Sequence, residues 1–318
     1  MKYISLFKSY AMYFVLFAII VVFSVATPVF LQVSNVINVV RQISMLGIAS
    51  VGMTFVLLVG GIDLSIGSLI TIINVVCAWL MVECGINPWL SCLISLVLTT
   101  FIGFLNGLLI AKIKMPPLIV TLASMTILQG AAYMITGGMP IFGFPKGFTI
   151  LGQGYVGIIP IPVIIMVIIF IVGALILNRT YFGRYFYAVG GNEEASRLSG
   201  LNVEGIKYLV YTLSGLLAGI AGLVMLSRTN SAQPVAGEGY EFDALTANVL
   251  GGVSITGGSG KMSNVVAGVL ILGVLSNGLI LLNVDTYVQK VIKGIVLIIA
   301  VGFDCMQKNR KIKQTKVA

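Results

Sequence analysis

The sequence predicts an all-α protein, a polytopic bundle of about ten transmembrane helices, on two observations. Apolar residues make up 58% of the 318 residues and charged residues only 9%, whereas a soluble domain carries roughly a quarter charged residues. Mean hydropathy is +1.07. Such a chain has too few polar groups to cover a surface that faces water, and helices satisfy their own backbone hydrogen bonds in lipid. Residues 1–318 are therefore predicted to form a single transmembrane domain.

Ten stretches approach the roughly 20 apolar residues that a membrane-crossing helix needs. They are 11–31, 43–60, 66–83, 89–111, 117–135, 159–178, 208–227, 244–258, 263–282 and 286–303. The eighth is short and rich in glycine and polar residues, so it is predicted either to cross the membrane or to re-enter the bundle as a broken segment. Segment 32–42 is amphipathic and is expected at the outer interface.

The first span resembles a secretory signal at its ends. Lys2 and Lys8 precede the apolar run, and Ser24-Val25-Ala26 could serve as a cleavage site. The run continues through Phe30, which favours an uncleaved first helix, and cleavage is the alternative.

The distribution of lysine and arginine predicts the orientation of the bundle, because basic residues concentrate on the cytoplasmic side of membrane proteins. With a cytoplasmic N-terminus and ten crossings, 14 of the 19 basic residues lie inside. The tails 1–10 and 305–318 and the loop 179–207 are then cytoplasmic, and the loops 136–158 and 228–243 are external. This bias accounts for the net charge of +9 without a nucleic-acid partner. The predicted location is the cytoplasmic membrane of a bacterium.

Several kinds of chemistry are disfavoured by composition. The chain has no histidine, which is the commonest metal ligand and general base. Its four cysteines show no C-x-x-C spacing and are expected to be isolated thiols, so no metal site and no catalytic residue are predicted. The run Gly257 to Lys261 resembles a phosphate-binding loop, but Ile255 stands in place of its first glycine and Met262 in place of its hydroxyl residue. The chain is therefore not expected to be an enzyme.

Glycines predict one turn and close helix packing at two spacings. Gly60 and Gly61 permit a tight backbone turn between two spans, and Asp63 and Ser65 are placed to cap the helix that follows, with a coupling or gating role for Asp63 as the alternative. The spacings Gly103-x-x-x-Gly107 and Gly215-x-x-x-Gly219 favour helices whose backbones approach closely.

Polar residues within spans are costly and mark candidate positions along a hydrophilic route. The candidates are Asn74, Asn106, Gln129, Asn248 and Asn277. Their uncharged amides suit a neutral, hydroxyl-rich solute. Hydrogen bonding between helices is the alternative for each of them.

The loop 179–207 holds seven of the 29 charged residues. Asn192 is placed to cap a short helix whose first turn holds Glu193 and Glu194, where the helix dipole favours acids. Arg197 follows Glu193 by four residues, a favourable pairing, and Gly200 is placed to end the helix. A self-capped cytoplasmic helix of this kind is typical of a docking element, and an ordinary solvated loop is the alternative.

A series of motifs runs through nearly the whole chain in order. They are Gly60 to Ser65, Leu105-Asn106-Gly107, Pro116 to Leu122, Phe182-Gly183-Arg184, Gly191 to Ala195, Gln233-Pro234, Leu250-Gly251-Gly252, Gly257-Gly258-x-Gly260, Asn277-Gly278-Leu279 and Lys293-Gly294. Together they resemble the ribose-type permease family of ABC importers.

That resemblance implies a set of partners and a function. The expected partners are a second permease subunit, usually identical, a cytoplasmic ATPase that holds the ATP and magnesium, and an extracytoplasmic binding protein that delivers the solute. Gly191, Asn192, Glu193, Glu194 and Ala195 match the family's coupling helix. The implied solute is a monosaccharide such as ribose, and nucleosides, branched-chain amino acids and a sugar-derived signal are alternatives. A secondary transporter is disfavoured, because no carboxylate or basic group stands out within a span.

Overall fold

The computed structural model describes residues 2–145 and 147–317 as backbone, and the side chains of 12–145 and 147–306. The regular elements of the described chain are helices and one short hairpin. Its elements are α1 Lys2–Ala26, α2 Val33–Leu58, α3 Ile66–Val82, α4 Pro88–Ala111, α5 Pro117–Thr136, α6 Ile150–Gln153, β1 Tyr155–Val156, β2 Ile159–Pro160, α7 Ile161–Arg179, α8 Tyr181–Gly191, α9 Glu193–Leu198, α10 Val203–Thr229, α11 Tyr240–Leu250, α12 Met262–Leu281 and α13 Thr286–Val317.

Six of these helices are long and apolar enough to cross a membrane, which confirms a polytopic all-α membrane protein. They are α2, α4, α5, α7, α10 and α12. The apolar parts of α1 and α3, Met12–Ala26 and Ile66–Val82, are shorter. The larger number of ten crossings stays a prediction. Side chains at the ends of the chain, including most of the two predicted tails, lie outside the described residues.

Helix α2 differs from the prediction at its beginning. Segment 32–42 forms its first turns rather than a separate interfacial helix. No glycine or proline interrupts the chain between Val33 and Gly47, so the helix continues for 26 residues, about 39 Å. Asn35 and Val39 are buried in this part of the helix, which therefore belongs to the packed bundle.

Helices α2 and α10 form the centre of the bundle, and α10 packs along α2, α3 and α4. Small residues permit this approach, as predicted. A Cβ on Gly103 of α4 would collide with the backbone oxygen of Tyr211, and a Cβ on Gly215 of α10 would collide with that of Thr99. Both glycines are therefore required where the two backbones cross.

The predicted segment 244–258 is broken. Helix α11 ends at Leu250, and residues 251–261 run without regular structure through positive φ angles at Gly252, Gly257 and Gly258. Polar groups of other elements satisfy this backbone: Gly258 donates its N–H to the oxygen of Leu58 at 3.0 Å. Irregular backbone of this kind is tolerated at membrane depth only where protein buries it.

Two opposite ends of the bundle can be identified by the contacts that the residues make there. At the end that we name the α9 end, residues 257–258 pack on Gly60 and on the last residues of α8. At the opposite end, the hairpin end, Ile141 pairs with Ala232 in an isolated antiparallel bridge, and Arg41 donates to the backbone oxygen of Gln153 at 3.3 Å.

The prediction of isolated thiols is wrong for two of the four cysteines. The Sγ atoms of Cys77 and Cys92 lie 3.8 Å apart, both buried between α3 and α4. These helices are joined by a short loop and run side by side, so residues that are 15 positions apart in sequence meet.

Candidate functional site

Helix α9 is built as its sequence predicts. The Asn192 side chain accepts the N–H of Ala195 at 2.9 Å, and its extended backbone is that of an N-cap residue. Arg197 donates to Glu193 at 3.3 Å across one helical turn. Gly200 follows with φ of +83°, the left-handed conformation that commonly ends a helix. The helix is therefore stabilised by contacts between near neighbours.

One ion pair ties α9 to the core of the bundle. Lys207 of α10 lies 2.8 Å from the second oxygen of Glu193, and the lysine side chain is mostly buried. Ser196 is buried on the same side of the helix, whereas Glu194 and Leu198 point away, with Leu198 84% exposed. The free face of α9 thus presents an acidic group beside a large apolar one.

Helix α8 connects α9 to the interior. Phe186 and Val189 are fully buried, and a Cβ on Gly190 would collide with the backbone oxygen of Leu58. Tyr187 donates its hydroxyl to the oxygen of Gly260 at 2.9 Å, and burial raises the pKa of this phenol. Helix α8 therefore connects α9 to the end of α2 and to segment 251–261.

The Gly60–Ser65 turn is buried and centres on Asp63, which is 0% exposed. One carboxylate oxygen accepts the N–H and the hydroxyl of Ser65, and the other accepts the hydroxyl of Ser214 at 2.7 Å. Asp63 therefore joins the beginning of α3 to the middle of α10.

The predicted capping role is wrong for both residues, because neither side chain bonds a free N–H group of α3. Asp63 accepts the N–H of Ser65 just before α3, at 3.0 Å. The Ser65 side chain makes no capping bond, because its backbone is helical (φ −77°, ψ −9°) and a capping side chain needs an extended backbone. Its hydroxyl instead donates to Asp63 and accepts from Asn106 at 3.1 Å.

The depth of this turn is a feature that the sequence analysis missed. Ser214 lies 11 residues into α10, about 16 Å along its axis, so α3 begins near the middle of the bundle rather than at its end. Helix α11 is also short, and its buried Glu241 (3% exposed) faces Gly67 in the first turn of α3. Two carboxylates therefore lie within the bundle, contrary to the expectation that none stands out there.

The four candidate asparagines are buried and hydrogen-bonded between helices. Asn74 donates to the oxygen of Gly222 at 3.1 Å, and Asn248 donates to that of Ser50 at 3.0 Å. Asn248 also accepts the hydroxyl of Thr54 at 2.6 Å. These bonds hold α3 to α10 and α11 to α2.

The remaining two asparagines pair with polar residues that the sequence analysis did not select. Asn106 accepts the hydroxyl of Ser124, which joins α4 to α5. Asn277 and Asn35 exchange two amide hydrogen bonds of 2.9 and 3.0 Å. Asn35 could have been found as a polar residue in a helical run, had segment 32–42 been assigned to the bundle.

Gln129 has a different environment. It is half-buried on α5, a helix of which little is buried. Thr126 and Tyr133, three residues before and four residues after it, are exposed on the same face. A lipid-facing helix rarely presents such a polar stripe.

Comparisons with known proteins identify the family of the chain. The profile of the family described as branched-chain amino acid transport system / permease component matches residues 35–301. The ribose import permease protein RbsC of Bacillus subtilis is 45% identical over 291 residues, which are 91% of this chain and 90% of the relative.

Two further relatives come from Escherichia coli strain K12. Its RbsC is 42% identical over 91% of each chain, and its L-arabinose transport system permease protein AraH is 39% identical over 95% of this chain and 92% of the relative. No solved structure matches the chain significantly. The chain is a multi-pass cell-membrane protein, the permease subunit of an ABC importer and not itself an enzyme, and it belongs to the family of branched-chain amino acid transport system permease components.

Proposed function

We propose that this permease carries a monosaccharide, ribose or a similar sugar, delivered by an extracytoplasmic binding protein. The observation that carries the proposal is the identity of 39–45% with permeases named for ribose and L-arabinose, over more than nine tenths of this chain. The family description names branched-chain amino acids, so an amino acid is the alternative that a test must separate. The uncharged amides and hydroxyls of the bundle favour a neutral solute with many hydroxyl groups.

The proposed topology has ten crossings with both termini in the cytoplasm. The eighth crossing runs from Ala232, which pairs with Ile141 at the hairpin end, through α11 to Gly258 at the α9 end. The basic residues that this topology leaves outside include Arg41 and Lys290, which bond Gln153 and Glu238 at the hairpin end. The α9 end is then cytoplasmic.

In this topology α9 is the docking helix for a cytoplasmic ATPase, which binds the ATP and magnesium. Coupling requires an element with two arrangements, and the partner must shift the equilibrium between them. Helix α9 suits this role because its own fold is locally stabilised, while α8 connects it through Gly190 to the end of α2. Closure of the ATPase would shift α9 and α8 as one unit and change the packing around the Gly60–Ser65 turn.

The proposed route runs along the polar stripe of α5, which meets the same stripe of a second, identical subunit. Thr126, Gln129 and Tyr133 supply exposed hydroxyl and amide groups on one face. The Thr126 hydroxyl also bonds the oxygen of Leu122 in its own helix, whereas the Gln129 amide and the Tyr133 hydroxyl are better satisfied by a water-filled route between two subunits than by lipid. The buried asparagines would then stabilise the route indirectly, because their hydrogen bonds fix the helices that pack around it. These asparagines are Asn74, Asn106, Asn248 and Asn277.

The test is uptake into vesicles that contain the chain with its cognate ATPase and binding protein. We expect ATP-dependent accumulation of labelled ribose or a similar sugar and no accumulation of leucine. Accumulation of leucine alone would contradict the solute assignment. Uptake that continues without ATP and stops when ion gradients are dissipated would contradict the importer mechanism.

A variant separates coupling from folding. Replacing Glu194 with lysine reverses the charge on the free face of α9 without touching the Glu193–Lys207 pair. We expect at least a tenfold loss of uptake with normal membrane insertion. Lys112→Gln, at another exposed position of the α9 end, is the matched control and should transport normally. Normal uptake by Glu194→Lys would contradict the docking role.

A further inference from the structure

An apolar groove between α7 and α12 opens on the outer surface of the bundle. Both helices pack on α2, but they meet each other at few residues. The groove has a volume of about 550 Å³ and is lined by Met166, Phe170 and Ala174 of α7 and by Met262 and Val266 of α12. The separation of the two helices therefore leaves a cleft between them.

The groove is polar at one end only. Asn178, Lys261 and Ser263 line that end. Tyr187 bonds the oxygen of Gly260, next to Lys261, so the polar end lies at the α9 end of the bundle, where α7 also finishes. The exposed Arg179 directly follows Asn178. Within the part of the chain that the structure describes, no acidic group lies within ion-pair distance of Lys261.

The dimensions of the groove suit one leaflet of a bilayer. From Met166 to Asn178 the α7 axis rises by about 18 Å, and half of a hydrocarbon core is about 15 Å thick. An acyl chain could therefore lie along the apolar part while its headgroup stays at the level of Lys261.

We propose that this groove binds an acidic phospholipid, with an acyl chain between α7 and α12 and the headgroup phosphate against Lys261, Asn178 and Ser263. Charge complementarity supports this occupant: an unpaired ammonium at the mouth of an apolar cleft attracts an anion that carries an apolar chain. The short glycine segment before Lys261 holds it there, since Gly257 and Gly258 pack against α8. The proposal is independent of the solute that the permease carries.

The test measures which lipids stay bound. The full chain is purified from bilayer discs that contain equal amounts of phosphatidylglycerol and phosphatidylcholine, and the retained lipids are quantified by mass spectrometry. We expect the wild-type chain to retain phosphatidylglycerol preferentially. Lys261→Gln should lower that preference about fivefold, the effect of one basic residue near the surface, and Lys261→Arg should preserve it. The control Lys112→Gln, which removes the same charge elsewhere at the α9 end, should leave it unchanged.

A second variant tests the groove itself. Ala174→Phe fills the cleft and should reduce retention of both lipids in a chain that remains monodisperse. Equal lipid preference in Lys261→Gln and Lys112→Gln would overturn the headgroup assignment, and unchanged retention in Ala174→Phe would overturn the acyl-chain assignment. Efficient cross-linking of Val266→Cys between two chains would show instead that this face is a subunit interface, which would also overturn the proposal.

Discussion

Helix α9 and the Gly60–Ser65 turn are both polar interruptions of an apolar chain, yet they are stabilised in opposite ways. The cap and the pairing of α9 join residues three and four positions apart, Asn192 with Ala195 and Glu193 with Arg197. The turn depends on a bond between Asp63 and Ser214, which are 151 positions apart. Apart from the Glu193–Lys207 pair, the first region is held by near neighbours, whereas the second cannot change without disturbing α3 and α10. The proposed coupling element and the buried turn are therefore held by different kinds of contact.

The largest effect is expected where the two regions meet. Gly190→Ala places a Cβ against the backbone oxygen of Leu58, which cannot move independently of α2. We expect destabilisation of about 3 kcal/mol, typical of overpacking, seen as a lower midpoint of thermal unfolding in detergent. The neighbouring Gly191→Ala meets nothing within 4 Å and is the matched control. Equal effects of the two substitutions would show that α8 is not packed on α2 as described.

A somewhat smaller effect is expected at the buried turn. Ser214→Ala removes one hydrogen bond to a carboxylate and should cost about 1.5–3 kcal/mol, measured as the free energy of unfolding in mixed micelles. Ser199→Ala removes an exposed hydroxyl that bonds only the last turn of α9 and should cost less than about 0.5 kcal/mol. A cost below 0.5 kcal/mol for Ser214→Ala would mean that Asp63 does not join the two helices.

Helix α9 should tolerate change best. Asn192→Ala removes its cap and is expected to cost about 1 kcal/mol locally, which hydrogen exchange of residues 193–198 would detect. Arg197→Ala breaks an exposed pair and should change the stability by less than about 1 kcal/mol. If Asn192→Ala instead lowered the stability of the whole bundle, α9 would belong to the same cooperative unit as the turn.

How well the sequence predicts each region depends on whether its contacts are local, as in α9, or distant, as in the Gly60–Ser65 turn. The α9 helix could be predicted residue by residue because its determinants lie within one turn of each other. For segment 244–258 the sequence predicts two alternatives, a crossing helix or a broken segment. Its glycines indicate a flexible backbone but do not indicate the path that the backbone takes. The depth of Asp63 could not be predicted, because it depends on where α3 packs along α10, and hydropathy records only where apolar runs begin and end.

By itself the sequence determined the membrane environment, the helical class and the capped helix α9, because composition and short-range spacing act through local chemistry. Only the tertiary structure decided that Asn35 meets Asn277, that Glu241 faces Gly67, and that α5 keeps a polar stripe exposed. These features depend on which faces of separate helices come together. Side-chain volume and hydrogen-bond geometry across the assembled bundle select those faces, and no segment carries that information alone.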